Sequence, residues 1–397
     1  MKTADPELMR AINRFLVLDT IRRHGPIARV EIGERTELSP TTVSAITAAL
    51  LDDGLITVRH EGDIRSQSLR GRPRVMLALN PEAAWVVGVR LAADRVVCVA
   101  TNFQGDVLSS LTLPARCASL ATPDIADLVA DGVRRCVGDA GLGLDRIKSV
   151  ALSLPGIVEH GTGKVLASSV LGDLDAPLYE AITARLGIAT IIESDANAIT
   201  MAQHWFGQAR DHDDFVLVAI EEVLGLGVMH NGQLFRGAHG LSLTLGDMVM
   251  GPGGETAMRL GDLAGQGALL ADSRLHGHGL AQVHDLLEAG DDELRAVVAR
   301  AGTALGVAIA NLVALFAPPR VILVGSTLAL GEHLLAPLRE SFAAAIPAPL
   351  ATLAEIVIDD TGDQLWARGA AAVALGELYG SPWGTTGPAR HSQSFIA

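Results

Sequence analysis

The stretch Val86–Ala100, VVGVRLAADRVVCVA, decides how the rest of the chain is read. β-Branched residues flank a short break on both sides, so it reads as strand, tight turn, strand, the hairpin that opens a nucleotide-binding fold. Its turn is unsuited to phosphate. A phosphate-wrapping loop needs glycines for close backbone approach and hydroxyl or amide donors, whereas this turn offers Arg90, Ala92, Ala93 and Asp94.

Beyond Pro81, strand and helix patterns alternate. Strands are expected at 85–91, 95–101, 106–113, 147–154, 188–193, 215–220, 225–231, 320–325 and 354–359, and helices at 122–140, 176–187, 195–206, 283–317, 332–346 and 363–379. Three strands in meander followed by strand-helix alternation, the whole occurring twice, predict an α/β body of two lobes facing a cleft. The first lobe is expected over 81–198, completed by the C-terminal helix 363–380, and the second over 199–362, with 381–397 as a flexible tail.

The chain has 397 residues, 49% of them hydrophobic, enough for two or three cored domains. No N-terminal segment has a basic start before an apolar run, and no later apolar stretch is read as reaching the roughly 18–20 residues that span a bilayer, so a cytoplasmic chain with no membrane partner is expected. Cys98, Cys117 and Cys136 form no C-x-x-C pair and read as buried small apolar residues. The net charge of −14 conceals an asymmetry: residues 1–80 hold 12 basic and 10 acidic residues (+2), leaving 19 basic and 35 acidic (−16) for the remainder. Only the first fifth of the chain approaches a polyanion without strong repulsion.

That fifth is patterned for DNA. ELMRAINRFLVLDTIRRHG reads as an amphipathic helix with Ile12, Phe15 and Leu16 at i, i+3, i+4, stopped by Gly25-Pro26. ARVEIGERT fits a short second helix. ELSPTTVSAITAALLDDG supplies a third, with Ser39 as N-cap, Pro40 at the first helical position and Gly54 past the end. It is expected to bury Val43, Ile46 and Leu50 and to turn Thr41, Thr42, Ser44, Ala45 and Thr47 outward, the small polar face that a major groove admits. Strands at Leu55–His60 and Arg74–Asn80 make a winged variant. Between them RSQSLRGRPR carries Arg65, Arg70, Arg72 and Arg74 with no acid, suited to a minor groove or equally to a solvated linker; its place after a helix-turn-helix favours DNA. A three-helix packing domain without a DNA role is the alternative.

At this point the chain resembles the ROK family (repressors, open reading frames, kinases), whose regulator branch carries such an N-terminal domain. The resemblance rests on LSPTTVSAITAALLDDGLI, the GRP element, Leu79-Asn80-Pro81, SLPGIVEHGTGKVLAS, ESDANAITMAQHWFG and HNGQLFRGAHG, and covers about residues 10–380. It implies an actin-like (ribonuclease-H-like) ATPase fold behind an N-terminal winged helix-turn-helix over 1–80, and a dimer contact in the second lobe. Against the family's kinases, the Asp-x-Gly-Gly-Thr turn is here Arg90, Leu91, Ala92, Ala93 and Asp94, and the Gly-Thr-Gly loop aligns with Glu221-Glu222-Val223. Those carboxylates either repel a γ-phosphate unless they recruit a cation or protonate, or face solvent at a strand end. Asp195 matches the family's general base. Glu-x-Gly-His becomes Thr244-Leu245-Gly246-Asp247, the preceding Asn becomes Ser194, the last sugar-contacting Glu aligns with Ala264, and the zinc loop falls on GPGGETAMRLGDLA, which lacks Cys and His. Zinc is not expected there, and residues 251–268 are expected to be more mobile than in zinc-stapled relatives. His230, His239, His276 and His278 read as surface, core or loop histidines rather than metal ligands.

The sequence is therefore expected to encode a DNA-binding transcriptional repressor, catalytically inactive and without cofactor, that forms a homodimer or tetramer on palindromic double-stranded DNA and senses a sugar or its derivative. DNA contacts are expected from Ser39, Thr41, Thr42, Ser44, Ala45, Arg70, Arg72 and Arg74, and ligand contacts from Ser194, Asp195, Asn197, His239, Thr244 and Asp247. A divergent sugar kinase and a regulator controlled by a protein partner are the rival readings.

Overall fold

The computed structural model describes residues 6–60, 75–251, 257–270, 279–359 and 362–380. The expected Arg65, Arg70, Arg72 and Arg74 contacts, His276, His278 and the tail lie outside them, as does part of the 251–268 segment.

The N-terminal domain consists of helices Pro6–His24, Arg29–Thr36 and Pro40–Asp52 and a three-stranded antiparallel sheet in the order Ile27–Ala28, Val75–Leu79, Ile56–His60. The third helix begins where its cap dictates, the Ser39 hydroxyl accepting from the Thr42 amide at 3.1 Å with Pro40 following. Two details differ from the sequence reading. Thr47 is buried rather than outward, because Arg29 Nε donates to its hydroxyl at 2.9 Å, and Ile46 is only partly buried. On the first helix, too, the reading shifts: the buried residues are Val17, Leu18, Ile21 and Arg22, while Leu16 is 39% exposed. Val17, Leu18 and Ile21 share a core with Leu77 of the sheet and Trp205 of the body, so the helix buries its C-terminal half, where those partners are.

Among the described residues the body has, besides two two-stranded sheets, Gly156–Glu159 with Lys164–Ser168 and Val249–Gly251 with Met258–Arg259, two large ones. The first runs Thr190–Ser194, Ile147–Leu154, Trp85–Leu91, Arg95–Asn102, Val107–Pro114. Strand alternation divides its faces: Val87, Val89 and Leu91 pack with helix Thr122–Asp139, and Val86 and Ala151 with helices Asp195–Phe206 and Asp363–Leu378. Gly88 allows close helix approach, since a Cβ there would lie 2.0 Å from the Ala367 carbonyl oxygen. The second sheet runs Gln233–Leu234, Leu224–His230, Phe215–Ile220, Arg320–Val324, Glu355–Ile358, with Leu243–Thr244 also paired to Leu224–His230. Val216 and Val218 face helix Asp292–Phe316; Leu217 and Ala219 face Ile199 and Ala202. Helix Asp195–Phe206 thus lies between the sheets and runs across the lobe boundary expected at 198/199.

The expected single helix 283–317 is two, Leu280–Glu288 and Asp292–Phe316. Gly290 breaks it at φ +93° and Asp291 caps the second part, accepting from Leu294 N at 2.9 Å. By length and composition this second helix is apolar enough to cross a membrane, contrary to the sequence reading. Most of its apolar stretch is buried. Gly302 and Gly306 bring the helix so close to Glu332–Ala345 that added Cβ atoms would meet the Leu334 and Leu338 carbonyl oxygens at 2.3 and 2.2 Å, so its apolarity serves a core crossing.

Candidate interlobe cleft and DNA-binding face

The strand carrying Arg90 ends where the two sheets and helix Asp363–Leu378 converge. Arg90 is 4% exposed, and its guanidinium occupies that meeting point. Nε donates to Asp195 Oδ2 at 3.3 Å, Nη1 to Asp363 Oδ1 at 2.8 Å, and Nη2 lies 3.8 Å from Glu221 Oε2. The guanidinium carbon sits 4.1 Å from the centre of the Trp366 ring. Arg95 Nη2 shares Asp363 Oδ1 at 2.8 Å. The turn at 90–94 therefore presents a fixed cation ringed by three carboxylates.

Of the two readings of the acidic pair, each residue follows a different one. Glu221 faces Arg90 and caps the turn Ser326–Leu330, accepting from Ser326 N at 2.8 Å and Ser326 Oγ at 3.1 Å. Glu222 is exposed, and partial burial together with the Glu221 charge raises its carboxyl above the usual range.

Ser194, Asp195 and Asn197 share the first turn of the interlobe helix. The Ser194 hydroxyl is spent on capping, accepting from Asn197 N at 3.3 Å. Burial raises the Asp195 carboxyl, against the opposing pull of Arg90. Asn197 Oδ1 is buried without a hydrogen-bond partner among the described residues, and Ser153 Oγ and Asp195 Oδ1, close enough for the hydroxyl to help lower the Asp195 carboxyl, make no aligned hydrogen bond, an arrangement that a hydroxyl-bearing ligand satisfies. Thr244 reaches this wall indirectly: it pairs with Gly225, whose added Cβ would lie 2.8 Å from Ala196 Cβ. His239 and Asp247 are exposed, Asp247 bonding Arg259 Nη1 at 2.8 Å, and among the described residues no hydrogen bond or ion pair joins either to Asp195. His230 pairs with Asp214 at 2.7 Å on the surface.

A second hub went unread in the sequence. Glu193, fully buried, holds Asn197 Nδ2 at 2.9 Å, Arg236 Nη2 from the second lobe at 2.7 Å and His160 Nδ1 at 3.1 Å. Burial opposes its charge, but Arg236 and His160 hold the carboxyl far below the usual range. A charged residue ending an otherwise apolar strand was the available signal. His160 Nε2 also lies 3.2 Å from Glu377 Oε1. Burial disfavours the imidazolium, yet the bonds to Glu193 and Glu377 outweigh it and raise the ring's pKa above 6.5. A raised folded value means stabilisation that is complete below the unfolded value and lost as pH rises through the folded one. His160→Gln is expected to lower Tm by a few degrees at pH 6 and by less at pH 9, measured by thermal unfolding.

At its other end the interlobe helix meets the winged domain. His204 Nε2 lies 2.9 Å from Arg23 Nη2, which also pairs with Asp213 at 2.6 Å, and the Arg22 guanidinium sits 4.4 Å from the centre of the Trp205 ring. One helix thus joins the cleft to the DNA-binding domain. On that domain Thr41, Ser44 and Ala45 are exposed at the start of the third helix and Thr42 partly so; the hydroxyls of Ser39 and Thr42 bond each other at 2.8 Å.

A winged helix-turn-helix joined to a two-lobed, actin-like kinase fold is the class of protein these parts define. The sequence model of the ROK family matches residues 86–377, and that of the MarR family matches residues 12–66. The chain belongs to the ROK family. It is similar to the xylose repressor of Bacillus subtilis (24% identical over 385 residues, covering 94% of this chain and 98% of that one). It is also similar to the DNA-binding transcriptional dual regulator NagC of Escherichia coli (26% over 249 residues, 63% of this chain and 60% of that one). Among solved structures, a ROK family transcriptional regulator homologous to the E. coli MLC protein superposes with TM-score 0.76 at 24% identity, over 94% of this chain and 98% of the other.

Proposed function

We propose that this protein is a DNA-binding transcriptional repressor that responds to a sugar or sugar derivative in the interlobe cleft and does not phosphorylate it. The observation that carries this reading is Arg90: a buried, immobilised cation stands in the turn that holds phosphate and magnesium in the family's kinases, with Asp195 committed to it. A base whose charge is spent on a neighbouring guanidinium, next to a turn without phosphate donors, is poorly placed for phosphoryl transfer. The buried Asn197 Oδ1 and the poorly aligned Asp195 and Ser153 oxygens support a polyol ligand. One relative is named for xylose and the other as a dual regulator without a sugar in its name, so they favour a sugar without selecting which.

A single winged helix buries about 600–1,000 Å², too little for tight binding at physiological salt, so a twofold dimer on a palindrome is proposed. Leu315 (74% exposed) and Phe316 (40%) end the long second-lobe helix beside Phe235 (44%), an apolar patch suited to self-association. Leu315→Asp/Phe316→Asp is expected to convert a dimer to a monomer in sedimentation and to cost at least about tenfold in operator affinity. A double variant that sediments like the parent would remove the patch from the interface. Ligand binding that changes how the lobes hold helix Asp195–Phe206 would then reach the winged domain through His204 and Trp205.

A further inference from the structure

A concavity of about 510 Å³ lies between the winged domain and the body, away from the interlobe cleft. Four arginines line it: Arg22 from the first helix, Arg59 from the wing, Arg210 from the loop after the interlobe helix and Arg368 from the C-terminal helix. Among the described residues Asp106 is the one carboxylate in the lining, and its Oδ2 already accepts from Asn102 Nδ2 at 3.0 Å.

The positive charge here is poorly neutralised. Arg59 has no ion-pair partner among the described residues. Arg368 spends Nε on the Gly105 carbonyl at 2.9 Å and stacks 3.7 Å from the centre of the Phe206 ring, and no carboxylate lies within ion-pair distance among the described residues. Burial pushes its pKa down, only partly offset by Asp106. Arg210 Nη2 donates to a backbone carbonyl, that of Arg23, at 3.2 Å. Arg22 is 8% exposed and shares Asp19, while its Nη2 has no aligned hydrogen-bond acceptor among the described residues. Arg22 keeps Asp19, but Arg59, Arg210 and Arg368 gather around one recess with no carboxylate within ion-pair distance among the described residues, an excess of positive charge that a bound anion would offset.

We propose that this interdomain recess binds a small phosphate-bearing anion. Its volume falls in the range of small-molecule sites, and converging guanidinium forks match the oxygens of a phosphate dianion better than a single carboxylate. Because Arg59 belongs to the wing and Arg210 and Arg368 to the body, a bound phosphate ties the two domains together and fixes the angle at which the recognition helix is presented. The inference rests on this geometry and not on the identity of the cleft ligand.

Calorimetric titration of the full chain with glucose 6-phosphate, inorganic phosphate and glucose tests it. Saturable binding of glucose 6-phosphate, none of glucose, and a loss of about tenfold or more in Arg59→Gln/Arg368→Gln at unchanged circular dichroism are expected. Asp106→Asn should tighten binding. Inorganic phosphate binding as tightly as the ester identifies free phosphate as the ligand; weaker binding identifies an ester. Equal binding of glucose, no binding of either phosphate, or affinity unchanged in the double variant would overturn the proposal. Binding that survives that variant but is lost in Asp195→Asn would place the probe in the interlobe cleft, overturning this inference and leaving the regulator reading intact.

Discussion

Replacing Thr41 and Ser44 together with aspartate is expected to abolish operator binding, lowering affinity by about a hundredfold or more, with no loss of folding. Both side chains are exposed on the helix that the winged domain presents. Each lost base-edge contact costs about 1–3 kcal/mol, and each new carboxylate adds repulsion from the phosphates. The fold should tolerate the change, because Thr41 lies in the first turn after Pro40, where a negative charge opposes the positive end of the helix dipole. Fluorescence anisotropy on a labelled operator, with thermal unfolding alongside, separates the effects. Undiminished affinity would move the base-reading face elsewhere.

The second large effect concerns stability. Arg90→Leu removes one buried cation and strands Asp195, Asp363 and Glu221 around an apolar side chain. Breaking a buried ion pair from one side costs about 3–5 kcal/mol, which denaturant titration would register as a lower midpoint. The deficit should shrink as pH falls, because Asp195, already raised by burial, can then take a proton instead of remaining an unpaired buried charge. Arg90→Lys keeps the charge but loses the fork to Asp195 and Asp363 and the stack on Trp366, so it should fall between the two. A variant as stable as the parent at all pH values would show that Arg90 does not hold the cleft.

How far the sequence alone reaches follows from how local each signal is. The recognition helix is legible because Ser39 and Pro40 act within the turn that starts it and Gly54 within a turn of its end. The break at Gly290-Asp291 is equally local, yet the sustained apolar pattern on either side masks it. Asp195 is legible from its segment, but what it does is not: its partner Arg90 is 105 residues away and Asp363 a further step, 273 residues from Arg90. Ala92 and Ala93, where the resemblance implies glycines, read as a deletion of function; only the fold shows that Arg90, at the place of that turn's acid, forms an ionic clasp with Asp195 and Asp363. Glu193 and His160 escape for the same reason, since Arg236, Asn197 and Glu377 converge on them from separate elements. Likewise Thr47 turns inward only because Arg29, on another helix, supplies its hydrogen bond.

The most direct test of the central claim is selection of bound duplexes from a randomised pool by the full chain at ~0.15 M salt, where non-specific phosphate binding is weak. A dimeric regulator recovers a palindrome whose half-sites lie a helical turn or a multiple of it apart. Recovery of no enriched sequence, with the cleft empty and with a panel of sugars and sugar phosphates present, would contradict it.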